Sequence, residues 1–271
     1  MTTLADADWR LIREEARDGP MNMALDEIAA ETAADGGPRT VRVYRWDPST
    51  LSLGYHQDPT TIDWEHCDRT DVTVTRRPTG GGAIYHDNYG DISYSIIAPA
   101  DELPGDLMDC YALLCQPVLD AFERMGVSAD FADEEQPEIH EPACYLRELH
   151  PAHDVVTDDG RKISGNAQYR QKDAVIQHGS LTYDRAVRRH LDCFTDHGVS
   201  PSTFRDRVTG VTEYVDLDRE AAVGILETTL AEFTDAVVGS WTDDELDRAR
   251  ERAREKFGTD AWTRHREVPE R

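Results

Sequence analysis

The tightest constraint in the sequence is the stretch Arg76 to Asp87, RRPTGGGAIYHD, in which three glycines stand directly behind an alternating run, VTVTRR. The run reads as a half-buried strand. Three consecutive glycines cannot continue it, because none has a side chain to pack and each loses the most freedom on ordering. They do let bare backbone N–H groups approach a ligand closely. Arg76 and Arg77 add guanidinium forks suited to carboxylate or phosphate, and His86 and Asp87 follow on the returning strand. The spacing is neither a Walker loop nor GxGxxG.

Around this core the chain reads as strands first and helices later. Gly19-Pro20 opens a helix with Met21, Leu25, Ile28, Ala29 and Thr32 on one stripe, closed by Gly36-Gly37. Asn22 and Asp26, four apart, share a face of it. TVRVYRW and LSLGYH are strands around Asp47-Pro48, and AIYH with ISYSIIA reads as a hairpin-like pair joined at DNYGD. Leu107, Cys110, Leu114, Val118, Phe122 and Met125 mark a helix over 106–125, kinked at Pro117 and stopped by Gly126. DVVTDDGRKISG predicts a hairpin at Asp159-Gly160, and AVIQHGSLTY a further strand. Helices close the chain, one over 218–238 and one opened by the capping box at Thr242 to Glu245 and ended by Gly258. Without regular β-α alternation this order predicts an α+β fold.

Composition narrows the function. With 54 acids against 29 bases the net charge is −25, and no basic face could neutralise nucleic-acid phosphates. With 39% hydrophobic residues at regular spacing the chain is not disordered, and its acidity predicts a high-salt cytoplasm. No apolar run of about 18 residues predicts a membrane span, and the charged start is no signal peptide. Five cysteines without a CxxC pair predict free thiols in a reducing, cytoplasmic compartment.

That bias makes Lys162 conspicuous, since only Lys162, Lys172 and Lys256 among the 29 bases are lysine. Lys172 and Lys256 sit in charged surroundings and are expected at the surface. Lys162 follows a tight turn and precedes the small residues Ser164 and Gly165. A point charge on a flexible stem can follow one oxygen through a reaction where a planar fork cannot. Its loss is expected to stop the chemistry and leave the fold intact.

RRPTGGGAIYHD resembles the RRxxGGGxVFHD signature of lipoate–protein ligases, and KISGNAQ…QHGSL resembles their KxSGxAQ…HHGTL segment. NMALDE, SLGYHQD and FRDRVTGVTEY resemble their N-terminal helix, acyl-pocket strand and late arginine-valine-threonine stretch, so the likeness runs from about Pro20 to Trp262. It implies a mixed β-sheet flanked by helices, as in biotin ligases and class II tRNA synthetases. It divides the chain into an N-terminal extension (1–19), a catalytic domain (20–240) and a C-terminal helix and tail (241–271) without an accessory domain. The implied reaction joins lipoate or octanoate to ATP, with Mg²⁺, and passes the acyl group to a lysine of an acyl-carrier domain, the glycine-cleavage H protein or an E2 subunit. A separate accessory ligase subunit is implied as a partner.

By the same resemblance Lys162 is the catalytic residue. Arg76 and Arg77 meet carboxyl and phosphate oxygens. Gly80, Gly81, Gly82, Ala83, Ile84 and Tyr85 line the adenylate, and His86 borders the acyl channel. Asp154 completes half of an Asn-Asp pair in which His153 stands for the Asn. Gly165 and His178 belong to the second motif.

A related branch, the octanoyltransferases, uses no ATP and carries octanoate from acyl carrier protein on a cysteine. PACYLREL, with Cys144 eighteen residues before Lys162, resembles its Ala-Cys-Phe stretch. Cys144 is open to three readings: a buried small residue, this nucleophile, or a metal ligand with His140, His150 and His153. Gly82, where that branch carries Arg, and the Gly90-Asp91 turn favour the ligase, which is the expectation taken forward.

Overall fold

Side-chain alternation decides which face each strand offers, and two sheets result. The computed structural model describes residues 4, 7–150, 153–170 and 173–268, which leaves Lys172 outside the described residues. The strands are β1 (Trp9–Arg17), β2 (Arg39–Trp46), β3 (Thr50–Leu53), β4 (Thr73–Arg76), β5 (Ile84–His86), β6 (Asp91–Pro99), β7 (Ala129–Phe131), β8 (Asp154–Thr157), β9 (Lys162–Arg170), β10 (Ala174–Thr182) and β11 (Val237–Val238). The helices are α1 (Gly19–Ala34), α2 (Trp64–Arg69), α3 (Leu107–Met125), α4 (Val187–Leu191), α5 (Pro201–Arg207), α6 (Arg219–Thr234), α7 (Asp243–Arg252) and α8 (Asp260–His265). The large sheet runs β11-β1-β2-β6-β10-β9-β8-β7, parallel around β1 and antiparallel from β2 onward. The small one runs β4-β3-β5. This is the expected α+β class, a mixed sheet flanked by helices.

Along β2, Val41 and Val43 face α3 and α6, while Tyr44 and Trp46 face α1. The small sheet turns Leu51 and Leu53 into a third core with Cys67, Ala143, Tyr145 and Phe204. Capping explains where the long helices begin and end. Asp18 Oδ1 accepts from Met21 N at 2.8 Å, Asp106 Oδ1 accepts from Met108 N at 2.9 Å, and Gly126 ends α3 in the left-handed region at φ 84°. Pro117 is accommodated inside α3, which stays one helix.

Three expectations need correction. AIYH and ISYSIIA are not a hairpin: β5 pairs with β3 in the small sheet, while β6 joins the large one. Both flanks are buried, so alternation alone could not show that the chain changes sheets at DNYGD. The N-terminal stretch is no mere extension either, since β1 is an inner strand bonded to β2 and β11. Lys256 is not a free surface cation. It pairs with the buried Glu27 on α1 and lies 4.4 Å from the centroid of the Trp262 ring.

Candidate active site

The two arginines ahead of the glycines point opposite ways, as neighbours on a strand must. Arg76 is buried away from the glycine loop. Its Nη1 donates to the carbonyls of Gly54, Tyr55 and Gln57 at 2.7–2.9 Å, and its Nε donates to Thr263 O at 2.8 Å. Arg77 turns inward and braces the loop. Its Nη2 donates to Gly80 O and Gly82 O, its Nη1 to Ser52 O, and its Nε to Thr79 Oγ1, at 2.7–3.0 Å. Neither fork lies open to a substrate oxygen as expected of Arg76 and Arg77: Arg76 is fully buried outside the cavity, and the N–H groups of Arg77 are taken up by the loop and Ser52. Among the described residues, the N–H groups of Gly80, Gly81 and Gly82 make no hydrogen bond.

The glycines are there for close approach. A Cβ on Gly54 would stand 1.8 Å from Gly81 O, and Gly81 adopts φ +93° beside Arg77. A Cβ on Gly82 would stand 2.7 Å from Pro142 O and 2.9 Å from Cys144 N. The third glycine therefore makes room for the segment that carries Cys144. That segment is stitched to the loop by Ala83 N donating to Pro142 O (2.7 Å) and Cys144 N donating to Ala83 O (2.9 Å).

Lys162 opens β9. Between the pairs Val155↔Ser164 and Val156↔Lys162 the strand carries one extra residue, and such a bulge breaks strict alternation. Lys162 thereby shares a side with Gly165. A Cβ on Gly165 would lie 3.3 Å from Lys162 Cε, 3.5 Å from its Nζ and 4.0 Å from Cys144 Sγ. Amine and thiol thus converge on the space that Gly165 leaves empty. Lys162 is only 2% exposed, with Nζ 2.6 Å from Asp154 Oδ1 and donating to Cys144 O at 3.3 Å. Burial opposes the lysine's charge, but Asp154 and then Cys144 outweigh it and raise Lys162 above its ordinary value. Burial likewise works against the Asp154 carboxylate, yet Lys162 holds it well below the usual range. Burial lowers Arg77, and a negative charge on Cys144 acts against that lowering. A thiolate at Cys144 therefore has two buried cations within electrostatic reach.

These groups border a cavity of about 270 Å³. Its floor follows one register row across four strands, Gly165↔Ser180↔Ser93↔Tyr44. Three strand spacings make that row about 14 Å long, enough for an extended medium-length acyl chain. At the end away from Cys144, Trp46 stacks on His86 at 4.2 Å. His86 Nε2 meets Ser52 Oγ at 2.9 Å and its Nδ1 meets Asp91 Oδ2 at 3.3 Å, while Ser93 and Ser180 also donate to Asp91. His178 bonds Thr79 Oγ1 at 2.8 Å and faces Asp26 at 3.8 Å; burial lowers its pKa against the pull of Asp26. Asn22 and Asp26 do share a face, and together they hold the buried Arg42.

Of the residues singled out in the sequence, the cavity wall takes Arg77, Gly80, Gly81, Ile84, His86, Cys144, His153, Asp154, Lys162, Gly165 and His178. It leaves out Arg76, Gly82, Ala83 and Tyr85. Ala83 and Tyr85 point into the core of the small sheet, one residue out of phase with Ile84 and His86. Sequence reasoning missed Ser52, Trp46, Ser180 and Asn166 on the wall, and Asp91 behind it. The one available signal was Asp91, Ser93 and Ser95 alternating through an otherwise apolar strand. Among the described residues no three His, Cys, Asp or Glu side chains are grouped to hold a metal ion, so His140, Cys144, His150 and His153 are not such a set.

A sheet whose strands converge on a buried lysine, a thiol and a glycine loop at one end of an acyl-sized cavity defines an acyl-transfer architecture. Residues 18–240 match the family described as the lipoyl protein ligase A/B catalytic domain, and the chain belongs to that family of lipoate and octanoate ligases and transferases. It is 31% identical over 281 residues to the octanoyltransferase LipM of Brevibacillus brevis, covering 95% of this chain and 99% of that one. To the octanoyltransferase LipM of Bacillus subtilis it is 28% identical, covering 94% and 97%.

Solved structures share the fold. One is a lipoate-protein ligase A bound with ATP, with TM-score 0.78 and 23% identity over 95% of this chain and 98% of that one. Another is a bi-partite lipoate protein ligase of Thermoplasma acidophilum, with TM-score 0.79 and 22% identity over 97% and 99%.

The expectation of an ATP-dependent ligase is thereby corrected. The curated relatives that match nearly end to end are octanoyltransferases, while at 22–23% identity the ligase structures speak for the fold alone. Gly82 misled because its smallness serves the approach of Cys144 and does not require a nucleotide. Among the described residues no helix is long and apolar enough to cross a membrane.

Proposed function

We propose that the chain is a cysteine-dependent octanoyltransferase. It takes a medium-chain acyl group from a carrier thioester onto Cys144 and delivers it to a lysine of an acyl-carrier domain, an H protein or an E2 subunit. The observation that carries this reading is the convergence of Cys144 Sγ and Lys162 Nζ on the empty side of Gly165, at the head of an acyl-length floor.

In the first step the Cys144 thiolate attacks the thioester carbonyl. The carbon–sulfur bond to the carrier breaks, and the carrier leaves as a thiolate that takes its proton from water. The oxyanion formed on the way sits where the Lys162 ammonium and the N–H groups of the glycine loop can hold it. In the second step the acceptor lysine cleaves the new thioester. Asp154 keeps Lys162 charged and aimed throughout.

A thioester already carries its activation, so ATP, Mg²⁺ and an accessory ligase subunit have no part in this reaction. About 270 Å³ also suits one acyl chain better than an acyl group joined to a nucleotide, against about 300–1,000 Å³ for drug-sized sites. Intact-mass spectrometry tests the reading. Mixed with octanoyl–acyl carrier protein without ATP, the parent chain gains one octanoyl group and Cys144→Ser gains none, since a serine hydroxyl is far less acidic. An unmodified parent chain, or transfer that requires ATP, refutes it.

A further inference from the structure

The second step has a proton left over. The incoming amine becomes a cation as it attacks, and it must lose that proton before the amide is stable. Lys162 cannot take it: it is buried, paired with Asp154 and already charged. Asp154, held far below the usual carboxylate range, cannot either. Two imidazoles on the cavity wall, His86 and His178, have both ring nitrogens engaged, by Ser52 and Asp91 and by Thr79 and Asp26.

His153 differs from both. It lines the same cavity, and its side chain is 35% exposed, so it can pass a proton on to water. Its Nδ1 faces Asp154 Oδ1 at 3.6 Å, the oxygen that also holds Lys162. At 3.6 Å the carboxylate is beyond hydrogen-bond length but attracts a proton on Nδ1, which favours the tautomer that leaves Nε2 as acceptor, and a small approach would complete a His–Asp pair of the kind used in acyl transfer. Among the described residues Nε2 makes no hydrogen bond. The other groups facing the ring are the His150 imidazole, stacked at 5.0 Å, and the Tyr111 ring of α3 at 5.5 Å. His153 O accepts from Asn166 Nδ2 at 2.9 Å, and this backbone tie survives any side-chain change.

We propose that His153 is the general base of acyl delivery, a further catalytic residue of the transferase proposed above, on which this inference rests. The acceptor nitrogen attacks the Cys144 thioester carbonyl, and the carbon–nitrogen bond forms. The carbon–sulfur bond breaks and leaves a thiolate on Cys144, facing Lys162 and Arg77. The ammonium proton passes to His153 Nε2 and from there to water.

The test separates the two steps. Parent chain, His153→Gln and His153→Asn are acylated with the octanoyl thioester of N-acetylcysteamine, then mixed with a lysine-bearing acyl-carrier domain from pH 6 to pH 9. Both variants still form the acyl-enzyme, with a much smaller loss in acylation than in amide formation. The maximal rate of amide formation falls on the order of 10²-fold at pH 7, with KM for the acceptor unchanged. The deficit narrows as pH rises and hydroxide takes over removal of the proton, and added imidazole restores part of the rate. Parent-like amide formation in both variants overturns the assignment, as does an equal loss of both steps, which marks a structural role. A parent chain that forms no acyl-enzyme overturns the transferase reading and this one together.

Discussion

Removing the Lys162 amine should cost the fold as well as the chemistry. The structure sets that cost, because Asp154 is only 3% exposed and loses its partner when Lys162 becomes alanine. Breaking one side of a buried pair typically costs about 3–5 kcal/mol, since the other charge stays desolvated. The expectation that Lys162→Ala leaves the fold intact is therefore withdrawn.

In the parent chain the Asp154 pKa is depressed. Its contribution is complete above about pH 4, the unfolded carboxylate value, and is lost as pH falls through the lower folded value. Lys162 is raised. Its contribution is complete below about pH 10 and is lost as pH rises through the folded value. In Lys162→Ala the orphaned carboxylate instead favours its proton, so the deficit is full at pH 7 and shrinks toward pH 4. Adding Asp154→Asn removes the unpaired charge and should recover more than half of the loss without recovering activity. Urea unfolding of parent, both single variants and the double variant, at pH 7 and pH 4.5, yields the coupling energy. A single-variant loss below about 1 kcal/mol at pH 7, or equal losses in Lys162→Ala and the double variant, refutes the argument.

Three more outcomes follow from the geometry. Gly165→Ala places a methyl 3.5 Å from Lys162 Nζ and 4.0 Å from Cys144 Sγ; acylation should slow at least about tenfold with the melting temperature within a few degrees of the parent, as stopped-flow and calorimetry will show. Arg76→Lys strands carbonyls of Gly54, Tyr55 and Gln57 and should cost about 1–3 kcal/mol in denaturant titrations, while KM for the acyl donor stays put because this residue does not border the cavity. At net −25 the melting temperature should climb as salt goes from about 0.1 M to 1 M and the Debye length falls from about 10 Å to about 3 Å, and a flat response rules out self-repulsion as a determinant of stability.

Periodicity showed the central strands, the caps and the α+β order, because each is written in neighbouring residues, but it missed β1 and ran a helix over 218–238 through Val237 and Val238, which form β11. It also flagged Lys162, through the near-absence of other lysines. What it could not show were contacts made across the chain. The extra residue between Lys162 and Ser164 looks like any other strand residue until β8 is laid beside it. Arg76 and Arg77 are adjacent and chemically identical, and only the placement of α8 and the glycine loop tells a brace for the back from a brace for the front. Gly82 looked like part of a nucleotide cradle, although its smallness answers to a carbonyl 60 residues away, on Pro142.

The latch between α8 and β4 bears on when the cavity can exist at all. Trp262 Nε1 donates to Arg76 O at 2.7 Å, and Arg76 Nε donates back to Thr263 O. The residues that fasten the rear of the glycine loop are thus translated some 185 positions after it, as the separations of 186 and 187 require. On the ribosome, where chains emerge N-terminus first, most of the sheet can pair while the loop still lacks its anchor. A nascent chain halted before Trp262 would hold its thiol and its lysine beside a loop braced by Arg77 but without its rear latch. Competence therefore trails synthesis of the glycine loop by roughly 10–40 seconds, at about 5–20 residues per second of translation.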